Sequence, residues 1–453
     1  MKLTYGVNDR PSFGKTIVFA LQQLLAIMAA TIAVPAIVGN GMSQAAALFG
    51  AGVGTIVYLL FTKFKSPVFL GSSFAFLGSM SAAFAGAVSV NLGYLGLIIG
   101  AIFAGLVYVI IALICKKVGS DWIEKVMPAV IIGPTVAIIG LSLSANAIGD
   151  FVGGAIRDDN GNIIMTLNST INLIVGIITL LSIVVASIYG KKTLKMIPFL
   201  VGMAIGYVFA TIFTLIGKAS GNDAFLLINF SLFKNIEWIP DFSFIKAIKG
   251  IGDIPNASTF FKYLGTLAVA YVPVAFVVFA EHLADHKNLS TIIGSDLLKD
   301  PGVDKTLLGD GVGSMAGAFF GGCPNTTYGE SIGCVAISGN ASTITILFTA
   351  VLAIIVSFIG PFATLLKTIP SCVMGAACVA LYGFIAVSGL KMVQKVDLND
   401  NKNLFVVSSI LIAGVGGLAF NIKGIIITDI AGALLLGILI NLVGSKARKE
   451  NIE

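Results

Sequence analysis

Long apolar stretches recur along the whole chain, and they constrain its fold more than any other feature of the sequence. A helix needs roughly 20 mostly apolar residues to cross the hydrocarbon core of a bilayer. Only 11% of the 453 residues are charged and 57% are hydrophobic, a balance that cannot cover a water-soluble surface of this size. We therefore predict an all-α polytopic membrane protein. The apolar stretches lie at 16–38, 44–62, 91–115, 122–149, 170–189, 194–217, 260–284, 343–366, 371–390, 404–421 and 424–445.

Three further stretches are apolar but rich in small or hydroxylated residues, namely 66–86, 306–321 and 322–339. Counting them gives fourteen transmembrane segments. A polar loop at 218–259 divides the chain into 1–217 and 260–453, with seven segments in each half. An odd number of crossings inverts the second half relative to the first. The pattern therefore predicts a 7+7 inverted repeat, an architecture found in many transporters.

Basic residues are distributed unevenly between the two sides of this topology. If the N-terminus is cytoplasmic, 20 of the 28 Lys and Arg residues lie in cytoplasmic segments, as the positive-inside rule requires. Five of the other eight lie in or beside the 218–259 loop, which is then extracellular. We expect both termini in the cytoplasm and a first span that is retained. Topology thus explains the net charge of +6, and we expect no nucleic-acid partner.

Two polar runs interrupt the third segment of each half: GSSFAF at 71–76 and PNTTYGES at 324–331. Irregular or extended backbone at membrane depth is tolerated only where it lines a cavity in the protein. Its free N–H and C=O groups then become ligand contacts. The alternative is close packing of small-residue helices, which we expect for Gly313 and Gly317. Pro324 and the polar run favour broken segments, and we interpret them as two halves of a binding site.

Two acidic residues lie within predicted spans: Glu281 near the cytoplasmic end of the eighth and Glu330 inside the tenth. A carboxylate in hydrocarbon costs about 2.5–3.5 kcal/mol on insertion scales, so such a residue has a functional role by default. The alternative is a structural Glu bound to a backbone amide or a buried Lys. Asp285 follows Glu281 by four residues and shares its helix face.

The two histidines of the chain, His282 and His286, flank the same turn. Their order, E-H-x-x-D-H, differs from the zinc-binding H-E-x-x-H, so we predict no metal site. Asp285, His286 and Lys287 can also be the solvated end of the helix, and we expect this for His286. The five cysteines lack metal-ligand spacing and are expected to be unpaired thiols. No cofactor is expected.

The run PNTTYGESIGCVAIS at 324–338 resembles the signature of the nucleobase–ascorbate transporter family, in its bacterial uracil-transporting branch. The resemblance spans nearly the whole chain. It implies fourteen segments in two inverted repeats, with a core domain (segments 1–4 and 8–11) that moves against a gate domain (segments 5–7 and 12–14). It also implies short antiparallel strands in segments 3 and 10, a homodimer and the bacterial inner membrane. The other matching runs are LQQLLAIMAATIAVP (21–35), PVFLGSSFAF (67–76), AEH (280–282), DLLKDPG (296–302) and ALYGFIAVSG (380–389).

The same resemblance implies roles for individual residues. Glu281 matches the carboxylate that binds the pyrimidine, and Glu330 matches the second acidic ligand. The backbone at Phe74 and Gly329 matches the strand positions that contact the base. Ala30 matches a residue that packs against the ring of the base, and Tyr382 matches a gate-domain residue that faces the core domain.

The chemistry of uracil agrees with these roles. Uracil offers two N–H donors, which carboxylates accept, and two carbonyl oxygens, which backbone N–H groups can satisfy. The ring of Phe74 or Tyr328 can pack near the flat base. Two positions depart from the family pattern: Asp285 lies where the uracil branch has a His, and Ser331 lies where the signature has an Asn.

We therefore expect uptake of uracil coupled to proton entry by alternating access, with Glu281, Asp285 and Glu330 as proton-coupling groups. A purine or xanthine permease of the same fold is the alternative within this class. A membrane enzyme would need a nucleophile or a metal site, for which the two histidines are the only candidates. An anion channel-like protein would place a basic residue or bare helix ends where Glu330 lies. We expect a transporter in the lipid bilayer and no enzyme.

Overall fold

Helices account for most of the chain. The computed structural model describes residues 3–119, 128–154, 156–191, 193–423 and 425–450. The first half contains α1 (Phe13–Val38), α2 (Gln44–Phe61), β1 (Leu70–Ser72), α3 (Leu77–Ala85), α4 (Val90–Val118), α5 (Ala129–Ser142), α6 (Ser144–Phe151), α7 (Leu167–Tyr189), α8 (Thr193–Met196) and α9 (Pro198–Ser220). The second half contains α10 (Ser243–Ile251), α11 (Ala257–Ile293), α12 (Val303–Gly321), β2 (Asn325–Thr327), α13 (Gly329–Ser338), α14 (Thr343–Ser357), α15 (Gly360–Lys367), α16 (Ser371–Val393), α17 (Asn401–Val415), β3 (Phe420–Ile422), β4 (Ile425–Ile427) and α18 (Asp429–Glu450).

Eight helices in the described part of the chain are long and apolar enough to cross a membrane. They are α1, α2, α4, the pair α5–α6, α7, α9, α11 and α16. Shorter apolar helical stretches lie at Phe74–Ala85, Asn401–Val415 and Asp429–Ser445. The chain is thus a multi-pass, mainly helical membrane protein, whereas the count of fourteen segments stays a prediction.

Some predicted spans differ from the observed helices. The span at 343–366 is broken, because α14 and α15 meet at an angle of 81°. A proline in the first turn of α15 explains the new start, since proline is favoured there. The spans at 404–421 and 424–445 are interrupted by the hairpin β3–β4, where the β-branched run Ile425–Ile427 favours extended backbone. The start of the span at 122–149 lies in 120–127, outside the described residues.

The helices pack in two groups. In the first helix group (α1–α4 and α11–α14), α12 packs on α2 and α4, and α14 packs on α1 and α2. In the second helix group (α5–α7, α9 and α16–α18), α16 packs on α5, α6 and α7, while α17 packs on α5 and α18. Fewer contacts join the groups, mainly from α1 and α11. The interface between them can therefore hold a cavity.

Glycines bring α2 and α12 into backbone contact. A Cβ added at Gly50 would lie 2.5 Å from the Gly317 carbonyl oxygen, and one at Gly54 would lie 2.6 Å from that of Gly313. No side chain fits between these helices, which is the packing typical of small-residue membrane interfaces. The expected close packing at Gly313 and Gly317 is confirmed.

A two-stranded antiparallel ladder joins the two halves of the chain. Gly71 in β1 pairs with Thr326 in β2, and the Ser73 N–H donates to the Pro324 carbonyl at 2.9 Å. On the outer edge of β1, Thr55 Oγ1 accepts from the Leu70 N–H at 2.9 Å and lies 3.1 Å from the Leu70 carbonyl oxygen. Backbone groups at membrane depth need such internal partners. Both polar runs singled out in the sequence thus contribute a strand.

Candidate functional site

Two short helices begin where the strands of the ladder end. A 3-10 turn at Phe74–Phe76 leads from β1 into α3, and α13 starts at Gly329, two residues after β2. No side chain caps either start. The first N–H groups of a helix have no partner within it, and the helix dipole adds partial positive charge there. The interior of the protein therefore holds two sets of hydrogen-bond donors that face one region.

A cavity of about 440 Å³ lies in this region, between the two helix groups. The ladder and the two helix starts form one wall, and α11 forms the next. The second helix group closes the cavity with side chains from α5, α9 and α16, including Phe199, Phe384 and Met392. A volume in this range is typical of small-molecule sites.

Three carboxylates border the cavity. Glu281 and Asp285 come from one face of α11, and Glu330 comes from the first turn of α13. The Asp285 Oδ2 accepts a hydrogen bond from Thr327 Oγ1 at 2.7 Å, which ties α11 to the ladder. Glu330 lies at the helix end where a negative charge is stabilised by the dipole. The site thus presents acceptors from side chains and donors from backbone.

Tyr328 fixes the geometry where β2 passes into α13. Its hydroxyl donates to the Ser72 carbonyl at 2.8 Å, and its ring lies so close to Gly71 that an added Cβ would be 2.3 Å away. One residue beyond Glu330, Ser331 Oγ accepts from the Phe69 N–H at 3.0 Å and bonds to the Gln23 side chain. These contacts hold Glu330 at the cavity edge.

Most of the residues expected in the site border the cavity, but two do not. Phe74, Tyr328 and Gly329 line it together with the three carboxylates. Ala30 is 2% exposed and packs in an apolar cluster with Ile27 and Tyr328, and its contact with a ligand ring stays a prediction. Tyr382 is buried beside the cavity, with its ring edge-on to that of Phe74 at 6.1 Å between centroids.

Several lining residues were absent from the predicted site. Phe384, Ser388 and Met392 lie at four-residue intervals on α16, and Phe199 on α9 contacts Phe384 at 5.9 Å between ring centroids. A helical stripe of this kind is the only sequence signal for them. It does not distinguish a cavity wall from a lipid-facing surface.

The helix that carries Glu281 continues well past its predicted end at residue 284, to Ile293. His286, expected to be solvated, is 1% exposed, and its Nε2 lies 2.7 Å from the Tyr58 hydroxyl. His282 is fully buried and donates from Nδ1 to Asp310 Oδ2 at 2.7 Å. The expectation for His286 was wrong because Tyr58 comes from α2, far away in the sequence, while the His286 Nδ1 donates to the His282 carbonyl within α11. These contacts fix the rotation of α11, so that Glu281 and Asp285 face the cavity.

The short helices α3 and α13, each preceded by a strand of the ladder, are half-helices that begin inside the protein. A multi-pass helical bundle with such paired half-helices at an interior cavity is the architecture of a solute transporter. Comparison with known proteins agrees with this class. The model of a xanthine/uracil permease family, described as "Permease family", matches residues 14–423. The chain belongs to this permease family, the nucleobase–ascorbate transporters, as its motifs predicted.

Three uracil permeases match over nearly their whole length. The chain is 36% identical over 451 residues to a uracil permease of Bacillus caldolyticus, covering 98% of this chain and 96% of that protein. It is 35% identical over 456 residues to a uracil permease of Bacillus subtilis (strain 168), covering 100% and 98%. It is 33% identical over 441 residues to a uracil permease of Escherichia coli (strain K12), covering 97% and 93%.

Solved structures of more distant proteins share the fold. The transmembrane domain of a cyanobacterium bicarbonate transporter, BicA, superposes with a TM-score of 0.63 at 16% identity, covering 98% of this chain and 99% of that domain. Murine Slc26a9, an anion transporter in the inward-facing state, gives a TM-score of 0.67 at 11% identity, covering 97% and 69%. At these identities the likeness concerns the fold alone.

Proposed function

We propose that this protein takes up uracil together with protons. The observation that carries the proposal is the full-length similarity to three uracil permeases, combined with a cavity that holds three carboxylates and two free helix starts. The cavity offers a partner for each polar group of the base.

The two N–H groups of the pyrimidine ring are donors, and Glu281 and Glu330 are the acceptors we assign to them. The backbone N–H groups at Phe74 and Gly329, at the starts of the two half-helices, face the carbonyl oxygens. The rings of Phe74 and Tyr328 border the same cavity and provide flat apolar surface for the base. Hydrogen bonds to ionised carboxylates are about twice as strong as neutral ones, so the two glutamates dominate recognition.

The size of the cavity does not by itself select uracil. A volume of about 440 Å³ also accommodates the two fused rings of a purine. Selection therefore depends on the pattern of donors and acceptors. A xanthine permease of the same fold is the competing assignment, and competition by xanthine distinguishes the two.

The transport cycle we propose is alternating access in a 7+7 inverted repeat of fourteen segments. The first helix group would form the core domain and the second helix group the gate domain. This division is supported by the sparse packing between the groups and by the ladder, to which each half of the chain contributes one strand. Movement of one group against the other would expose the cavity to each side in turn.

Protonation is assigned to Glu281, Asp285 and Glu330. Glu281 and Asp285 are one helical turn apart, a spacing that disfavours ionisation of both. Asp285 also accepts a hydrogen bond from Thr327 in β2, the strand that precedes Glu330. A change in the charge of Asp285 would therefore change the strength of this bond to β2. We further propose a homodimer in the bacterial inner membrane with both termini in the cytoplasm, a topology supported by the distribution of Lys and Arg.

Uptake of labelled uracil into proteoliposomes tests the proposal. We expect accumulation when the outside is acidic, loss of accumulation when a protonophore removes the pH gradient, and weak competition by excess xanthine. Competition by xanthine as strong as that by unlabelled uracil would favour a purine permease. Equal accumulation with and without the pH gradient would refute proton coupling.

A further inference from the structure

Residues 3–9, the N-terminal segment, lie against the end of half-helix α13 that is farther from the cavity. The Tyr5 N–H donates to the Gly339 carbonyl at 3.1 Å, and the Ala341 N–H donates back to the Tyr5 carbonyl at 2.9 Å. This exchange forms a short parallel bridge between the two stretches of backbone. Gly339 is the residue at which α13 ends. The N-terminal segment is therefore bonded to the backbone that ends a half-helix far along the chain.

The hydrogen bonds continue beyond this bridge. The Thr343 N–H donates to the Val7 carbonyl at 3.2 Å, and Ser342 Oγ donates to the Asp9 carbonyl at 2.6 Å. A turn orders the segment here, because the Gly6 N–H donates to the Asp9 carboxylate at 2.7 Å. Thr343 is the first residue of α14. The segment thus bonds along the whole connection between α13 and α14.

Apolar side chains of the N-terminal segment add to these hydrogen bonds. Leu3 and Val7 pack on a buried cluster that contains Ile332 and Val335 of α13 and Leu70 of β1. Removal of apolar surface from water stabilises such contacts. The helical members of the cluster come from α2, α11 and α13, which all belong to the first helix group. The segment therefore packs on α13 within that group.

Half-helix α13 connects the N-terminal segment to the cavity. It has ten residues, a length of about 15 Å, with Glu330 in its first turn and Gly339 at its other end. Isolated helices shorter than about 12–15 residues are marginal, so packing determines where such a helix lies. A rod needs two fixed points to define its direction. The contacts of Ser331 provide the first point, and those at Gly339 provide the second.

We propose that the N-terminal segment is a positioning element of the binding site: it sets the direction of α13 and thereby the place of the Glu330 carboxylate. The inference rests on the proposed function, in which Glu330 accepts a hydrogen bond from the base. The segment touches no ligand and acts through Glu330. Because it is bonded and packed within the first helix group, it moves with that group and maintains the position of Glu330 during the transport cycle.

The Val7→Ala variant of the full-length protein tests this inference. It removes apolar contact with α13 and leaves the backbone hydrogen bonds in place. We expect calorimetry to show uracil binding about three- to tenfold weaker, because a displaced Glu330 loses part of a charge-assisted hydrogen bond. Val406→Ala makes the same truncation at a fully buried position in α17, which does not line the cavity. This control is expected to melt at a lower temperature but to bind uracil within about twofold of the unmodified protein.

Double-mutant cycles separate the positioning of Glu330 from general loosening of the protein. Val7→Ala should cost little further affinity when combined with Glu330→Gln, but its full three- to tenfold loss when combined with Glu281→Gln, because only coupled sites deviate from additivity. Ser342→Ala, which removes the bond to the Asp9 carbonyl, replaces Val7→Ala in the same cycles if that variant does not fold. Equal losses in both backgrounds, or unchanged uracil affinity in the single variant, would overturn this inference alone. A failure of the unmodified protein to bind uracil would overturn the proposed function, and this inference with it.

Discussion

The Asp285→Asn variant tests the proposed coupling of transport to a proton. Asp285 follows Glu281 by one turn on the cavity face of α11, and its Oδ2 accepts from Thr327 Oγ1 at 2.7 Å. Asparagine has the same shape, and its amide oxygen can accept the same hydrogen bond, but it does not titrate. The substitution therefore separates the shape of the side chain from its proton chemistry.

Two magnitudes follow from this geometry. A hydrogen bond to a charged group contributes about 1.5–3 kcal/mol and a neutral one about 0.5–1.5 kcal/mol, so the weaker Thr327 bond costs about 1 kcal/mol in stability. The effect on coupling is larger. A gradient of one pH unit is equivalent to about 1.4 kcal/mol per proton, which sustains about a tenfold uracil gradient at one proton per uracil. In Asp285→Asn, which lacks the titrating group, the ratio of uracil inside to uracil outside is expected to fall to about one.

The assay compares two modes of transport in the same proteoliposomes. Exchange of labelled for unlabelled uracil at equal concentrations needs no net proton movement and is expected to survive in Asp285→Asn. Accumulation driven by the pH gradient is expected to disappear. Asp296→Asn, which alters an exposed carboxylate in the loop after α11, is the matched control and should accumulate uracil normally. If Asp285→Asn accumulates uracil as well as the unmodified protein does, Asp285 has only a structural role and Glu281 or Glu330 carries the proton.

Three further predictions concern the ligand and the frame that holds it. Glu281→Gln turns part of an acceptor into a donor that faces a ring N–H, so calorimetry should show a loss of uracil affinity of about tenfold or more; a change of less than twofold would remove Glu281 from the site. 1-Methyluracil and 3-methyluracil should each compete about a hundredfold less well than uracil, because each leaves Glu281 or Glu330 without its partner; competition equal to that of uracil contradicts the two-carboxylate site. Gly71→Ala should destabilise the protein by about 1–3 kcal/mol, seen as a lower melting temperature in detergent, because its Cβ would lie 2.3 Å from the Tyr328 ring. Gly78→Ala, whose Cβ meets nothing closer than 3.7 Å, is the control, and equal melting of the two variants would refute the packing argument.

The sequence was most informative where polarity conflicts with the membrane. GSSFAF, PNTTYGES with its Glu330, and Glu281 stand out because polar groups at membrane depth are costly, and all three regions border one cavity. The family could be identified for the same reason, since its signature consists of these conspicuous residues.

The rest of the site depends on contacts that sequence spacing does not reveal. Phe384 and Met392 are apolar residues on an apolar helix, so nothing in the pattern distinguishes their face from a lipid-facing one. His286 looked like a solvated helix end because its partner, Tyr58, is 228 positions away. Ala30 is not among the residues that line the cavity, because it packs in an apolar cluster with Tyr328. Long-range packing decides each of these positions.

The β1–β2 ladder also determines when during synthesis the site can form. Its paired residues, Gly71 and Thr326, are 255 positions apart. At about 5–20 residues per second, the ribosome needs roughly 13–50 seconds to make the second strand after the first. Throughout that interval β1 has no partner on one side, at a depth where neither water nor lipid can bond to its backbone. The nascent protein must therefore insert the segments that precede β2 while the cavity between the strands and helices is still unformed. A chain that stops before β2 would leave an open strand edge inside the bilayer, which makes such a fragment a natural target for membrane quality control.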